Sequence, residues 1–333
     1  DYSEPEISKR AAAVTDKMLS MLALHTYKTG IVAPMGRVYR SVLYPFDQGA
    51  MALMNLINPK LPYTFGEGWL GFFASSHYPI PEGLVKLMDV ETNYTTGNAR
   101  VYLEKNDDYC LTSVASPREP FTRWENETLK EDVDITTHNF TKSFNERFHG
   151  TTYFRPGTYG YQQHMWYAAL DGEASIFVTH PGSTSEEGDM RPGYWHGNGV
   201  MPALKQQHGL LGGIYVIPDE HPIGYTHLYC PECRFDEVIH EENWIFLRKE
   251  TGYLALWCSE KLEAHNGMNF NCEQRAYSKN AAYLCVCGGK KSDVSFATFK
   301  KRAKETSPSY DKESKTLTAQ NFELRYVACK DVT

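Results

Sequence analysis

From residue 98 onward the sequence breaks into many short apolar or alternating runs separated by Gly, Asp and Asn, and this pattern restricts the fold most. Such runs are too short for helices, and the turn residues between them reverse the chain, so they predict antiparallel strands. "ARVYLEKNDDYCLTSVAS" predicts a hairpin turning at Asn106-Asp107-Asp108. Further strands are expected at 161–170, 174–179, 210–217, 235–240, 244–248, 253–258, 282–287, 316–319 and 323–328. "SDVSFATFKKRAKE" reads as one amphipathic helix inserted late. Strands in this number and spacing predict a β-sandwich.

The first ninety residues follow a different period. Ile7, Ala11, Val14, Met18 and Leu22 recur at helical spacing, with Ser3 and Glu6 as an expected capping box and Gly30 as the stop. More helices are expected near 47–57, 66–75 and 82–89. The fold class is therefore α+β, a short helical layer over 1–92 followed by a large antiparallel β-sandwich over 93–333. The apolar helix faces exceed what four short helices cover. They call for the β part, a second chain, a homo-oligomer or helices upstream of residue 1, and the chain reads as the C-terminal portion of something larger.

The formal charge of −7 argues against a nucleic-acid binder, because neutralising phosphates takes clustered Lys and Arg, and no nucleic-acid partner is expected. No apolar run reaches the roughly 18 to 20 residues needed to span a bilayer. Aromatic residues make up 13%, including 22 Tyr, and a flat apolar face with a polar tip suits sugar rings. Eight cysteines include "CPEC" at 230–233 and "CVC" at 285–287. Buried thiols are the leading expectation, with disulfides or a four-thiolate zinc site as alternatives.

Three polar segments stand next to Gly or Pro: "APMGRVYRS" at 33–41, "YGYQQHMWY" at 159–167 and "RPGYWHGNG" at 191–199. In such places backbone geometry rather than propensity is being specified. The stretch "QQHMWYAALDGEASIFVTHPG" has a His-bearing strand, a turn, a strand ending before Pro-Gly, and then a loop. With a helical N-terminal part ahead of it, this layout resembles the heparinase II/III-like polysaccharide lyases, with His180 where that family has Asp. The resemblance implies the end of an α/α toroid joined to the sandwich, and β-elimination on an anionic, uronic-acid-containing polysaccharide or oligosaccharide at the domain interface. It also implies an extracellular or periplasmic location, a cytoplasmic one being the alternative.

Such chemistry needs an acid and a base for proton movement and cationic or amide groups for the uronate carboxylate. The candidate catalytic residues are Tyr39, His164 and His196. Arg37, Arg40, Gln163, Arg191 and Asn198 are candidates for binding substrate, and Trp166 and Trp195 for stacking on it. The elimination requires no cofactor. A metal reading places zinc or calcium on His164, His180 and His208, since a simple hairpin brings the first two together. Two further alternatives stand: a glycoside hydrolase using Glu186, Glu187 and Asp189, and a glycan-binding subunit without turnover.

Overall fold

The computed structural model describes residues 4–32, 49–63, 69–96, 99–115, 164–181, 194, 195, 200, 202–219, 221, 223–267 and 270–326. The fold is β-rich and its sheets are antiparallel. Helix α1 spans Pro5–His25, with Pro5 in the first turn, where its missing N–H costs nothing. Ser3 lies outside the described residues, and Glu6 pairs with Arg10 at 3.1 Å instead of capping. The helix ends five residues before Gly30, because Thr26–Tyr27 (β1) and Gly30–Ile31 (β2) close a small hairpin.

Helices α2 (Ala50–Ile57), α3 (Trp69–Ser75) and α4 (Leu84–Leu87) follow. Leu19 and Ala23 of α1, Met51 and Met54 of α2, and Leu84 share one apolar cluster. That cluster leaves part of α1 uncovered: Val14 is 59% exposed and Met18 58%.

One sheet has eight strands: β3 (Thr92–Thr96), β4 (Ala99–Lys105), β5 (Cys110–Ala115), β6 (Trp166–Ala169), β7 (Ser175–Thr179), β10 (Thr226–Tyr229), β14 (Glu263–Gly267) and β15 (Phe270–Ala276). Their spatial order is β14-β15-β10-β7-β6-β5-β4-β3. A second sheet, ordered β11-β12-β13-β16-β9-β8, holds β8 (Ala203–Gln207), β9 (Leu210–Val216), β11 (Glu237–Glu241), β12 (Trp244–Lys249), β13 (Gly252–Cys258) and β16 (Asn280–Gly289). A single apolar cluster draws Leu111, Trp166, Ile176 and Leu228 from the first sheet and Leu211, Tyr215, Leu254, Leu256 and Cys285 from the second. Each such fully buried aliphatic or aromatic side chain is worth about 1.5–3 kcal/mol.

The expected late helix is two helices, α5 (Lys290–Asp293) and α6 (Phe296–Glu305), broken at Val294, whose φ is 63°. Phe296, Phe299 and Ala303 of α6 cover the other face of the second sheet beside Leu317, Phe322 and Leu324 of a three-stranded sheet. That sheet comprises β17 (Ser309–Asp311), β18 (Thr316–Ala319) and β19 (Phe322–Arg325).

Two contacts fix the eight-stranded sheet against its neighbours. The buried Lys105 ammonium donates to the carbonyls of Leu24 at 2.6 Å, Thr26 at 3.2 Å and Leu87 at 3.4 Å, joining β4 to the ends of α1 and α4. Burial lowers its pKa to about 8. At the β4–β5 turn, Asp108 rests on Gly252 of β13 and Gly289 of β16, where a Cβ on either glycine would collide with it.

Candidate functional site

Register builds the site on the face of the eight-stranded sheet turned away from the inter-sheet core. His227 of β10 stands opposite Thr179 of β7 on one side and Arg275 of β15 on the other. Two residues along, Tyr229 stands between Phe177 and Glu273. Side chains two apart share a face, so three strands present a grid of two rows: Thr179, His227, Arg275, then Phe177, Tyr229, Glu273. Tyr194 and Trp195 lie over this grid, both buried.

Polar contacts connect the grid to its cover. His227 Nε2 is 2.7 Å from Thr179 Oγ1, and its Nδ1 is 3.4 Å from Glu273 Oε1. A carboxylate only accepts, so Nδ1 carries a proton, while Nε2 shares a hydrogen bond with the threonine hydroxyl. Glu273 Oε1 also accepts from Arg275 Nε at 2.7 Å and from the Tyr194 hydroxyl. Burial opposes the charge on Glu273, but the hydrogen bond and positive charge of His227, with hydrogen bonds from Arg275 and Tyr194, outweigh it and bring its pKa down to about 2.

Tyr194 is the junction of this network. Its oxygen accepts from Arg275 Nη2 at 2.5 Å and lies 3.1 Å from the Tyr225 hydroxyl. Burial first, then the hydrogen bonds to Glu273 and Tyr225, raise its pKa, so the phenol stays protonated. The Arg275 guanidinium lies 4.5 Å above the Tyr225 ring, and Tyr225 meets Tyr277 at 5.5 Å. Tyr277 is 57% exposed. A path of aromatic rings therefore runs from solvent to a buried cation and a protonated phenol.

His164 sits beneath the cover, fully buried. Its Nε2 is 2.7 Å from the Trp195 carbonyl and its Nδ1 2.6 Å from the Tyr167 hydroxyl, while its ring meets Phe177 at 4.1 Å. The carbonyl can only accept, so Nε2 carries the proton and the neutral ring accepts through Nδ1. With both nitrogens engaged, His164 holds Trp195 in place rather than facing a ligand.

His180 donates through Nε2 to Ile223 O at 3.0 Å and meets His221 edge-on at 4.6 Å. Burial, then His221, push its pKa well below the usual histidine range. The third expected metal ligand is elsewhere. His208 is exposed in the two-residue turn between β8 and β9, where Gln207 pairs with Leu210 and both turn residues have positive φ, 42° and 70°. That turn belongs to the six-stranded sheet, so His208 does not join His164 and His180. Among the described residues no group of three or more His, Cys, Asp or Glu side chains is arranged to hold an ion. This set does not fit zinc or calcium, and the "CPEC" and "CVC" thiols, which are free, do not form a four-thiolate site.

Trp166 lies in the inter-sheet core at 1% exposure and offers no ring face to a ligand. Arg37, Tyr39, Arg40, Gln163, Arg191, His196 and Asn198 lie outside the described residues, as do Glu186, Glu187 and Asp189. Tyr194 lies within "RPGYWHGNG" without being one of its candidate residues, and Tyr225, His227, Glu273 and Arg275 lie in none of the three segments. The available signal was the two-residue spacing of polar and aromatic side chains in "YTHLY" and "CEQRAY". No helix among the described residues is long and apolar enough to cross a membrane. The chain matches no known family model and no curated protein.

Proposed function

We propose that the chain is a heparinase II/III-like polysaccharide lyase that cleaves a uronic-acid-containing glycan by β-elimination at the face carrying Tyr194 and Arg275. In this reading the two large sheets form a β-sandwich and the helices over 5–87 are the end of an α/α toroid. The observation that carries it is Arg275 held between Tyr194 and Tyr225, next to the exposed ring of Tyr277. An arginine suits a uronate carboxylate, and adjacent aromatic rings suit the apolar face of a sugar.

The chemistry then divides among named groups. A base removes the C5 proton, a role proposed for Tyr39 or His196. The C–H electron pair becomes the C4–C5 double bond, and the C4–O4 bond breaks with its electrons on oxygen. Tyr194 turns its O–H from Glu273 to O4 and gives O4 its proton, Glu273 keeping the hydrogen bond of Arg275. Arg275 stabilises the carboxylate as it takes on enolate character, while Arg37, Arg40, Arg191, Gln163 and Asn198 remain proposed as further substrate contacts. His164 and Trp195 position the cover, and no step is routed through a metal. Such a substrate puts the protein in an extracellular or periplasmic space.

Incubation with a panel of uronic-acid polysaccharides, following the ultraviolet absorbance of the unsaturated uronide and new reducing ends together, tests the reading. A rise in both is expected. Reducing ends without absorbance would replace elimination with hydrolysis and direct attention to Glu186, Glu187 and Asp189. Binding with neither signal would make the chain a glycan-binding subunit.

A further inference from the structure

Three thiols gather where β10 passes into the 3-10 turn Glu232–Arg234. The Cys230 N–H donates to the Cys272 carbonyl at 2.8 Å, extending the β10–β15 ladder one pair beyond Tyr229 and Glu273. Cys230 and Cys272 are therefore directly opposite. Alternation gives them the same face, since Cys230 continues Thr226 and Leu228 while Cys272 continues Gln274 and Ala276. A hydrogen-bonded antiparallel pair has Cα atoms about 5.5 Å apart, inside the roughly 4.4–6.8 Å that a disulfide spans.

The third thiol has the complementary property. Cys230 and Cys272 are buried and partly buried, whereas Cys233 is exposed. Glu232 beside it accepts from Gln274 Nε2 at 2.8 Å, which folds the "CPEC" turn back over β15. Burial pushes the Cys272 thiol up to about 11, so a soluble oxidant meets Cys233 first.

We propose that Cys230, Cys233 and Cys272 form a thiol–disulfide site, in which oxidation is received at Cys233 and ends as a Cys230–Cys272 cross-strand disulfide. The oxidant is a small-molecule disulfide such as oxidised glutathione. The Cys233 thiolate attacks one of its sulfurs, the oxidant's S–S bond breaks, and one thiol leaves. Cys272 displaces the second thiol from Cys233, and Cys230 then displaces Cys233, which takes up a proton. The sum is two protein thiols oxidised to one disulfide and one small-molecule disulfide reduced to two thiols. An oxidising compartment favours that product, and the link ties β10 to β15 one pair away from Glu273. The inference stands on the ladder geometry and is independent of the proposed lyase activity.

The test is a titration of the full chain with oxidised glutathione under native conditions, followed by alkylation of remaining thiols and peptide mapping by mass spectrometry. The wild type is expected to lose two thiols and to yield a peptide linked through Cys230 and Cys272. Cys233→Ser should form the same link about tenfold more slowly, and Cys272→Ser should stop with glutathione on Cys233. Circular dichroism of each variant confirms that it is folded. A wild type that keeps Cys272 alkylatable while Cys233 carries glutathione would overturn the proposal. An unchanged rate in Cys233→Ser would overturn the role of Cys233.

Discussion

Trp195 lies flat on His227, the ring centroids 4.0 Å apart and the planes 14° from parallel, while its backbone carbonyl accepts from His164. One residue thus joins two histidines that the chain separates widely. His164→Ala removes the donor to Trp195 and the acceptor of the Tyr167 hydroxyl together. Leaving buried groups unsatisfied costs about 1–3 kcal/mol, so urea unfolding should show a loss of that size.

Glu273 carries the negative charge that balances Arg275. Glu273→Gln keeps the shape and removes the charge, leaving a buried guanidinium without its counter-ion. Breaking a buried pair in this way costs about 3–5 kcal/mol, again readable by urea unfolding. The group's pKa falls on folding from 4.5 to about 2, so its stabilisation is complete above 4.5 and drains away as the pH drops toward about 2. The variant should lose that acid limb.

His25 governs a higher pH range. Burial, then the Lys105 charge, lower its pKa from 6.5 to about 4, and its Nε2 is 2.7 Å from the Tyr94 hydroxyl. The unfolded chain takes up the proton first, so stability is full above 6.5 and falls as the pH drops toward about 4. Denaturant midpoints across this range should decline in the wild type and flatten in His25→Gln.

Tyr194→Phe removes the proposed proton donor while keeping the ring against Trp195. Positioned acid catalysis is worth about a hundredfold or more. Turnover of a uronic-acid polysaccharide should fall by that factor in a protein that still unfolds cooperatively.

Gly252→Ala and Gly289→Ala test the seat of Asp108. Either Cβ would strike Asp108, by its backbone carbonyl at Gly252 and its side chain at Gly289. Overpacking of this kind costs about 1–3 kcal/mol, and both variants should lower the melting temperature.

The hairpin turning at Asn106-Asp107-Asp108 and the strands over 244–258 could be read from the sequence, because alternation and turn residues coincide there. β10, β14 and β15 were not, because none of them alternates apolar and polar residues along its length. β10 carries the aromatic Tyr229 on the face of His227, β15 puts the polar Gln274 on the face of Ala276, and β14 has Ala264 as its one apolar side chain, while the polar groups of β10 and β15 are satisfied by partners outside their own strand. The same cause hid most of the site. Trp195 and Tyr194 stand side by side in the same aromatic segment, but the role of Tyr194 depends on Glu273 and Arg275, some eighty residues later. His164 was legible as a histidine at a strand end, but its role as a prop depends on the Trp195 carbonyl, 31 residues later.

The strand order has a consequence for biosynthesis. β7 pairs with β10, and β10 with β15, yet the chain builds β11, β12 and β13 of the other sheet between those two steps. A nascent chain extruded N-terminus first therefore holds β7 with an open edge until residue 226 emerges, and holds His227 without Glu273 or Arg275 for nearly fifty residues more. The ribosome delivers the counter-charges after the histidine they serve, so a truncated product ending before β15 keeps His164, His180 and His227 and lacks the carboxylate and guanidinium that complete the grid.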